Sequence, residues 1–284
     1  MKRFESTLPG FLRLCRYALP LAALLFAAGE AAADTVLITG ANSGIGLEFS
    51  KQYAAKGWVV IATHRRSEPP KSLVALAEHN PKVRIERLDV TDLAQVKALA
   101  QKLAGTPIDV LINNAGVYND RSPCKGDDEE CPGDWTVEEF GRMKYSLLDT
   151  MMAVNIKGPL IVSETLYPNV KASGQKKLIA ISSSNGTLTG EATPRAGAIF
   201  YRMTKAALNR EMQIVAASTR MDGVTVVMFN PGPTLTEHQE YLKGKLPGML
   251  ETSFTVGKMI ETIDRITIRN TGQFLRYDGA TEPW

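Results

Sequence analysis

Thr35-Val36-Leu37-Ile38-Thr39-Gly40-Ala41-Asn42-Ser43-Gly44-Ile45-Gly46 decides how the rest of the chain is read. Its first four residues form an apolar, strand-like run, a glycine-rich stretch follows from Thr39, and residues 47–56 read as a helix. Glycines let a strand turn tightly into a helix and let a pyrophosphate approach the backbone without meeting a Cβ. The helix start beyond them offers unpaired N–H groups and the positive end of a dipole. Gly40, Asn42, Ser43, Gly44, Ile45 and Gly46 are therefore candidate binders of a dinucleotide. A glycine-rich turn alone serves equally as a structural turn, so its companions must decide.

Those companions follow in order. Asp89-Val90 ends the strand-like run 84–90, and Asn113-Asn114-Ala115-Gly116 ends the run 110–112. Asn155 lies in a helical segment, Ser182-Ser183-Ser184 ends the run 178–181, and Tyr201-Arg202-Met203-Thr204-Lys205 opens a long helix. Asn230-Pro231-Gly232-Pro233-Thr234-Leu235-Thr236 comes after the run 224–229. In this order, over residues 35–284, the pattern resembles the short-chain dehydrogenase/reductase family. The closing segment from Gly272 to Gly279, with Pro283-Trp284, is most similar to the C-factor and sniffer-type carbonyl reductase branch.

Strand and helix patterns alternate along the chain, and the strands are nearly continuous apolar runs. That combination predicts a Rossmann-type, doubly wound parallel sheet covered by helices on both faces, as a single domain over residues 34–284. Right-handed crossovers put the strand carboxyl ends, and hence the motifs, on one rim.

Reduction of a carbonyl needs a hydride donor, a proton for the oxygen and a group that orients the carbonyl. Tyr201 and Lys205 are four residues apart at a helix start, so both project from one face. A nearby ammonium should lower the tyrosine pKa from about 10 toward neutrality. The resemblance implies that Tyr201 is the general acid/base and that Lys205 is its electrostatic partner and a binder of the nicotinamide ribose. It also implies that Ser183 hydrogen-bonds the substrate oxygen, with its serine neighbours as alternatives, and that Asn155 holds a water on the lysine. Asp89 and Val90 would flank the adenine, Asn113, Ala115 and Gly116 would line the adenosine side, and Pro231, Gly232 and Thr236 would close on the nicotinamide amide. After the second strand stands Thr63-His64-Arg65-Arg66, with no acid to hold an NAD ribose and two arginines for a 2′-phosphate. NADPH/NADP is therefore expected over NADH/NAD, through Arg65 first and Arg66 second. The expected function is NADP(H)-dependent interconversion of a ketone or aldehyde with an alcohol. The alternative is a nucleotide-binding signalling or interaction protein of C-factor type, against which intact Ser183, Tyr201 and Lys205 argue. The substrate pocket is expected from residues 187–200 and 235–252.

With 284 residues, 44% of them hydrophobic and 22% charged, the chain has material for one large core. A net charge of +3 without a basic stripe gives nucleic-acid binding little support. Residues 1–33 read as a secretory signal or N-terminal anchor. Lys2, Arg3, Arg13 and Arg16 precede an apolar run at 17–28, and Ala31-Ala32-Ala33 suits cleavage before Asp34. Losing four basic and two acidic side chains there takes the net charge from +3 to +1. An exported protein is expected, membrane-attached only if the segment is retained, and cytoplasmic if the start is misassigned. Residues 119–135 form a polar insertion with the acidic run Asp127-Asp128-Glu129-Glu130, expected as a solvated loop. It holds Cys124 and Cys131, an even pair suited to one disulfide. Those cysteines and the scattered His64, His79 and His238 make no zinc set, so no metal is expected. The oligomeric state stays open, a homo-oligomer included.

Overall fold

Side-chain alternation along the strands organises the molecule. The computed structural model describes residues 33–124, 133–189, 197–245 and 247–284. It begins with β1 (Thr35–Ile38), α1 (Gly44–Ala55), β2 (Val59–His64), α2 (Lys71–His79), β3 (Val83–Arg87), α3 (Leu93–Lys102) and β4 (Val110–Asn113). The second half carries α4 (Tyr145–Met152), α5 (Gly158–Lys171), β5 (Lys177–Ile181), α6 (Ile199–Thr219) and β6 (Thr225–Asn230). Short β7 (Thr234–Leu235) and β8 (Leu250–Glu251), α7 (Thr252–Arg265) and β9 (Gln273–Arg276) complete it.

Seven strands form one sheet in the order β3-β2-β1-β4-β5-β6-β9, every pairing parallel. Successive residues of a strand face opposite sides. Val36, Ile38, Val60, Ile112, Ile179 and Phe229 meet Phe49 and Tyr53 of α1 and Met259 and Ile263 of α7 on one side. Leu37, Ile61, Leu111, Leu178 and Met228 meet Val96 of α3, Leu166 of α5 and Met212 of α6 on the other. Both faces are thus dry, as the apolar strand runs require, and the expected doubly wound sheet is found.

The strand order reverses between β1 and its neighbours β2 and β4, and the chain leaves all three at the same edge. A crevice opens there because successive connections depart to opposite faces. The run expected as a strand to Val90 stops at Arg87. Asp89 instead folds into a local turn, its carboxylate accepting from Thr91 N at 2.9 Å and Thr91 Oγ1 at 2.7 Å. Among the described residues no helix is long and apolar enough to cross a membrane.

Candidate active site

The glycine turn is clamped from below by the loop after β4. Gly40 and Gly44 take φ of +63° and +54°, the left-handed region that favours glycine. Asn114 donates from Nδ2 to the carbonyls of Thr39 at 2.9 Å and Gly40 at 3.0 Å, and its own N–H donates to Thr39 Oγ1 at 3.0 Å. A Cβ on Gly46 would lie 2.3 Å from Gly40 O and 2.4 Å from Asn114 Nδ2, so only glycine lets α1 start this close to the strands. Above the turn, Gly44 N donates to Glu237 Oε1 at 2.6 Å. An anion is what this helix start selects, and here the chain's own carboxylate fills that role.

Gly40, Asn42, Ser43, Gly44 and Ile45 line a cleft of about 1170 Å³ that continues past Arg65, Arg66, Asp89 and Val90. The surroundings of the arginines are electropositive. Burial lowers the pKa of His64 at the end of β2, and the charges of Arg66 and Arg87 lower it further. Ala115 and Gly116 form the floor, and Pro231, Gly232 and Thr236 close the opposite wall.

Ser183, Tyr201 and Lys205 meet at the far end. Ser182 is spent on structure, donating from Oγ to Asn209 Oδ1 at 2.6 Å inside the core. Ser183, at the start of the 3-10 turn of residues 184–186, accepts from Asn185 N at 3.1 Å and hydrogen-bonds the Tyr201 side chain. Of the three serines, Ser183 is the one whose side chain reaches Tyr201. A Cβ on Gly186 would come within 2.6 Å of the Lys205 carbonyl carbon, so glycine is what allows the serine turn to press on α6. Lys205 Nζ donates to Ile181 O at 2.9 Å and lies 5.6 Å from the Tyr201 ring centroid.

The electrostatics correct the expectation that Lys205 depresses the Tyr201 pKa. Burial dominates and pushes Tyr201 up to about 12, the Ser183 hydrogen bond opposing it and Tyr118 and Glu138 adding to it. Burial also brings Lys205 down to about 8. At neutral pH the tyrosine is a phenol with a proton to give, and most of the lysine is an ammonium.

Three expected site residues do not face the cleft. Gly46 packs beneath the turn. Asn113 turns toward α5 and donates to Ser163 Oγ at 2.9 Å, and Asn114, next in the doublet, takes its place on the wall. Asn155 sits in a π-turn of residues 153–157, buried. Its Oδ1 accepts from Val117 N at 2.7 Å, and its Nδ2 donates to Val117 O at 2.7 Å and Thr204 Oγ1 at 3.0 Å. The side chain ties the loop after β4 to α6.

The two ends of the insertion 119–135 are described, and they belong to the site. They pair at Asp120 and Asp134, Asp120 is held by Lys144 at 2.6 Å, and Asn119, Arg121, Ser122 and Trp135 line the cleft. Trp135 packs on Tyr118 with ring centroids 5.2 Å apart. The acidic run and Cys131 lie outside the described residues, and so does the expected bridge to Cys124. Of 187–200, residues 190–196 lie outside as well, and Thr187 Oγ1 donates to Pro283 O at 3.1 Å rather than lining the cleft. Of 235–252, Thr236, Gln239, Leu242 and Met249 line it. Glu138 and Glu237, which touch α6 and the glycine turn, carried no signal in the sequence. The described residues contain no group of three His, Cys, Asp or Glu side chains able to hold a metal ion.

Residues 34–246 match the family model for short chain dehydrogenases. The chain belongs to that family. It is an oxidoreductase of the short-chain dehydrogenase/reductase type, and its relatives include members of the branch read from the closing segment. C-signal of Myxococcus xanthus is 29% identical over 189 residues, covering 66% of this chain and all of that protein. The NADPH-bound carbonyl reductase from chicken fatty liver superposes with a TM-score of 0.73 at 27% identity, over 89% of this chain and 99% of its own. The carbonyl reductase Sniffer of D. melanogaster, at 23% identity and a TM-score of 0.71 over 89% of this chain and 100% of its own, shares the fold.

The buried Lys205 has a measurable cost. Its folded pKa, about 8, lies below the unfolded value of about 10.4, so between these the unfolded chain holds a proton the folded one has released. Stability therefore rises with pH through this window, and the penalty is greatest below pH 8. Lys205→Met should stabilise the cofactor-free protein at pH 7 by on the order of 1–3 kcal/mol, an advantage that fades toward pH 10.5. Urea unfolding at a series of pH values checks this, and a variant less stable than the parent at pH 7 contradicts it.

Proposed function

We propose that this chain is an NADPH-dependent reductase of ketones or aldehydes, able to oxidise the corresponding alcohols with NADP. One observation carries the proposal. The cleft that runs from the anion-selecting start of α1 and the arginines after β2 ends at Ser183, Tyr201 and Lys205. The residues fit a dinucleotide along its length: the left-handed glycines and the α1 amide for a pyrophosphate, Arg65 and Arg66 for a 2′-phosphate, and Lys205 for the nicotinamide ribose. NADPH accompanies the similar chicken liver carbonyl reductase, which supports the same cofactor here.

When bound, NADPH supplies the hydride that the carbonyl carbon accepts. Ser183 is placed to hydrogen-bond the carbonyl oxygen and hold it toward Tyr201. Tyr201 gives that oxygen its phenolic proton, and its high pKa keeps the proton in place until the oxygen becomes basic. Lys205, pinned by Ile181 O, offsets the negative charge that Tyr201 then acquires. Tyr118, Trp135, Leu147, Leu242 and Met249 give the adjoining wall an apolar character suited to the carbon skeleton of a substrate. A purely binding role of the C-factor type would carry the cost of burying Lys205 without using the proton donor beside it.

We further propose that the protein is exported, with the leader removed before Asp34 and Cys124 bridged to Cys131, where residues 1–32 and Cys131 lie outside the described residues. Asn185, in the sequon Asn185-Gly186-Thr187, lines the cleft, so a glycan there would obstruct it. Intact mass of the native protein tests both features together: a retained leader with two alkylatable thiols contradicts them.

Tyr201→Phe keeps the ring but has no proton to donate. Turnover of a good carbonyl substrate should fall about 10²–10⁴-fold, with NADPH affinity by fluorescence titration largely unchanged. Near-normal turnover would move the proton donor elsewhere. Arg65→Ala should remove a charge-assisted contact worth about 1.5–3 kcal/mol. NADPH should then bind roughly tenfold to a hundredfold more weakly while NADH binding is spared, and an equal loss for both cofactors contradicts the phosphate reading.

A further inference from the structure

The helix that carries Tyr201 and Lys205 begins without a cap of its own. Ala198, at its start, has φ of +51° and no side chain able to accept a hydrogen bond, and the first helical bond runs from Arg202 N to Ala198 O at 2.9 Å. The N–H groups before Arg202 need acceptors from elsewhere, because a helix leaves its first turn unpaired. Glu138 provides one. It lies 63 residues earlier, in the 3-10 turn of residues 136–138 that follows the insertion, and its Oε2 accepts from Tyr201 N at 3.0 Å. The N–H of Phe200 bonds the same carboxylate.

Nothing about Glu138 is incidental to the surface. It is wholly buried, and among the described residues its Oε1 has no hydrogen-bond partner beyond the helix amides. The apolar group around the site comprises Leu147, Met151 and Phe200, with Val137 and Tyr201 against it. A carboxylate placed in such surroundings is expensive unless its charge is used, and the start of a helix is where a negative charge is used best.

We propose that Glu138 is a positioning residue for the reaction: its carboxylate replaces the missing cap of α6 and fixes the backbone of Tyr201 so that the hydroxyl meets Ser183. The proposal rests on Tyr201 being the proton donor. Glu138 contacts the two amides of α6, and the charges that act on the Tyr201 phenol come from Glu138 and from Tyr118 in the loop after β4. Burial raises the Glu138 pKa against the pull of the two amides, and the Glu138 charge in turn helps to raise that of Tyr201.

Two variants separate position from charge. Glu138→Ala removes the cap, and kcat for carbonyl reduction should fall about 10- to 100-fold while the NADPH dissociation constant stays within about twofold. Glu138→Gln keeps an acceptor for the amides and should recover most of that rate. The charge is read without any substrate, by fluorine NMR titration of 3,5-difluorotyrosine placed at position 201: Glu138→Gln should lower its pKa by about one unit. Because this titration needs no turnover, a wrong assignment of the carbonyl reaction would leave it intact and be recognised separately. Three results would overturn the proposal: a Glu138→Ala kcat within twofold of the parent per folded molecule, a glutamine variant no better than alanine, or a titration that Glu138→Gln leaves in place.

Discussion

The candidate active site is built around one buried ammonium. Lys205 is 5% exposed and its charge is held by the carbonyl of Ile181, the last residue of β5. That contact joins the carboxyl edge of the sheet to α6, and every other site residue is arranged around the joint. Ser183 follows the same strand two residues later, and the turn after it can press on α6 because Gly186 has no side chain. Asn155 and Thr204 fasten the loop after β4 behind it. A charge in this place is destabilising in itself, and two dry sheet faces supply the stability that tolerates it.

Burial acts on both partners in opposite senses, and that is what makes the pair useful. Tyrosine loses solvation when it ionises and lysine loses it when it is protonated, so a shared dry site raises one pKa and lowers the other. The two values move apart, Tyr201 up to about 12 and Lys205 down to about 8, which leaves a neutral phenol beside a cation at neutral pH. In the proposed reaction, negative charge on Tyr201 is favoured only once its proton has moved to a substrate oxygen. Glu138 strengthens that bias from the start of α6, and Ser183 moderates it.

The parallel sheet was legible because strands buried on both faces have to be apolar at every position, a pattern that Thr35–Ile38 and Val110–Asn113 carry plainly. Tyr201, Lys205 and the glycine turn were legible because spacing on one helix face and backbone clearance are local properties. Other features depend on distant partners. Asn113 and Asn114 are the same residue type side by side, and only the path of β4 decides which faces α5 and which faces the cleft. Ser182 and Ser183 differ in the same way by the alternation of β5. The pKa of Tyr201 could not be read from its distance to Lys205 in sequence, because desolvation by the whole surrounding core outweighs that one charge. Glu138 and Glu237 reach the site from 63 and 193 residues away in sequence, through contacts that no periodicity encodes. That the ends of the insertion reach the cleft was not legible either, because it depends on the pairing of Asp120 with Asp134 and not on the polarity of the segment.

Transfer of label tests the central claim most directly. The purified protein, given NADPH deuterated at both C4 positions and a panel of aldehydes and ketones in ordinary water, should yield alcohols carrying one deuterium on the carbinol carbon, as read by mass spectrometry. Alcohols formed without that deuterium, or cofactor and carbonyls both returned unchanged across the panel by a protein that binds NADPH, would contradict direct reduction in the cleft between Ser183, Tyr201 and Lys205.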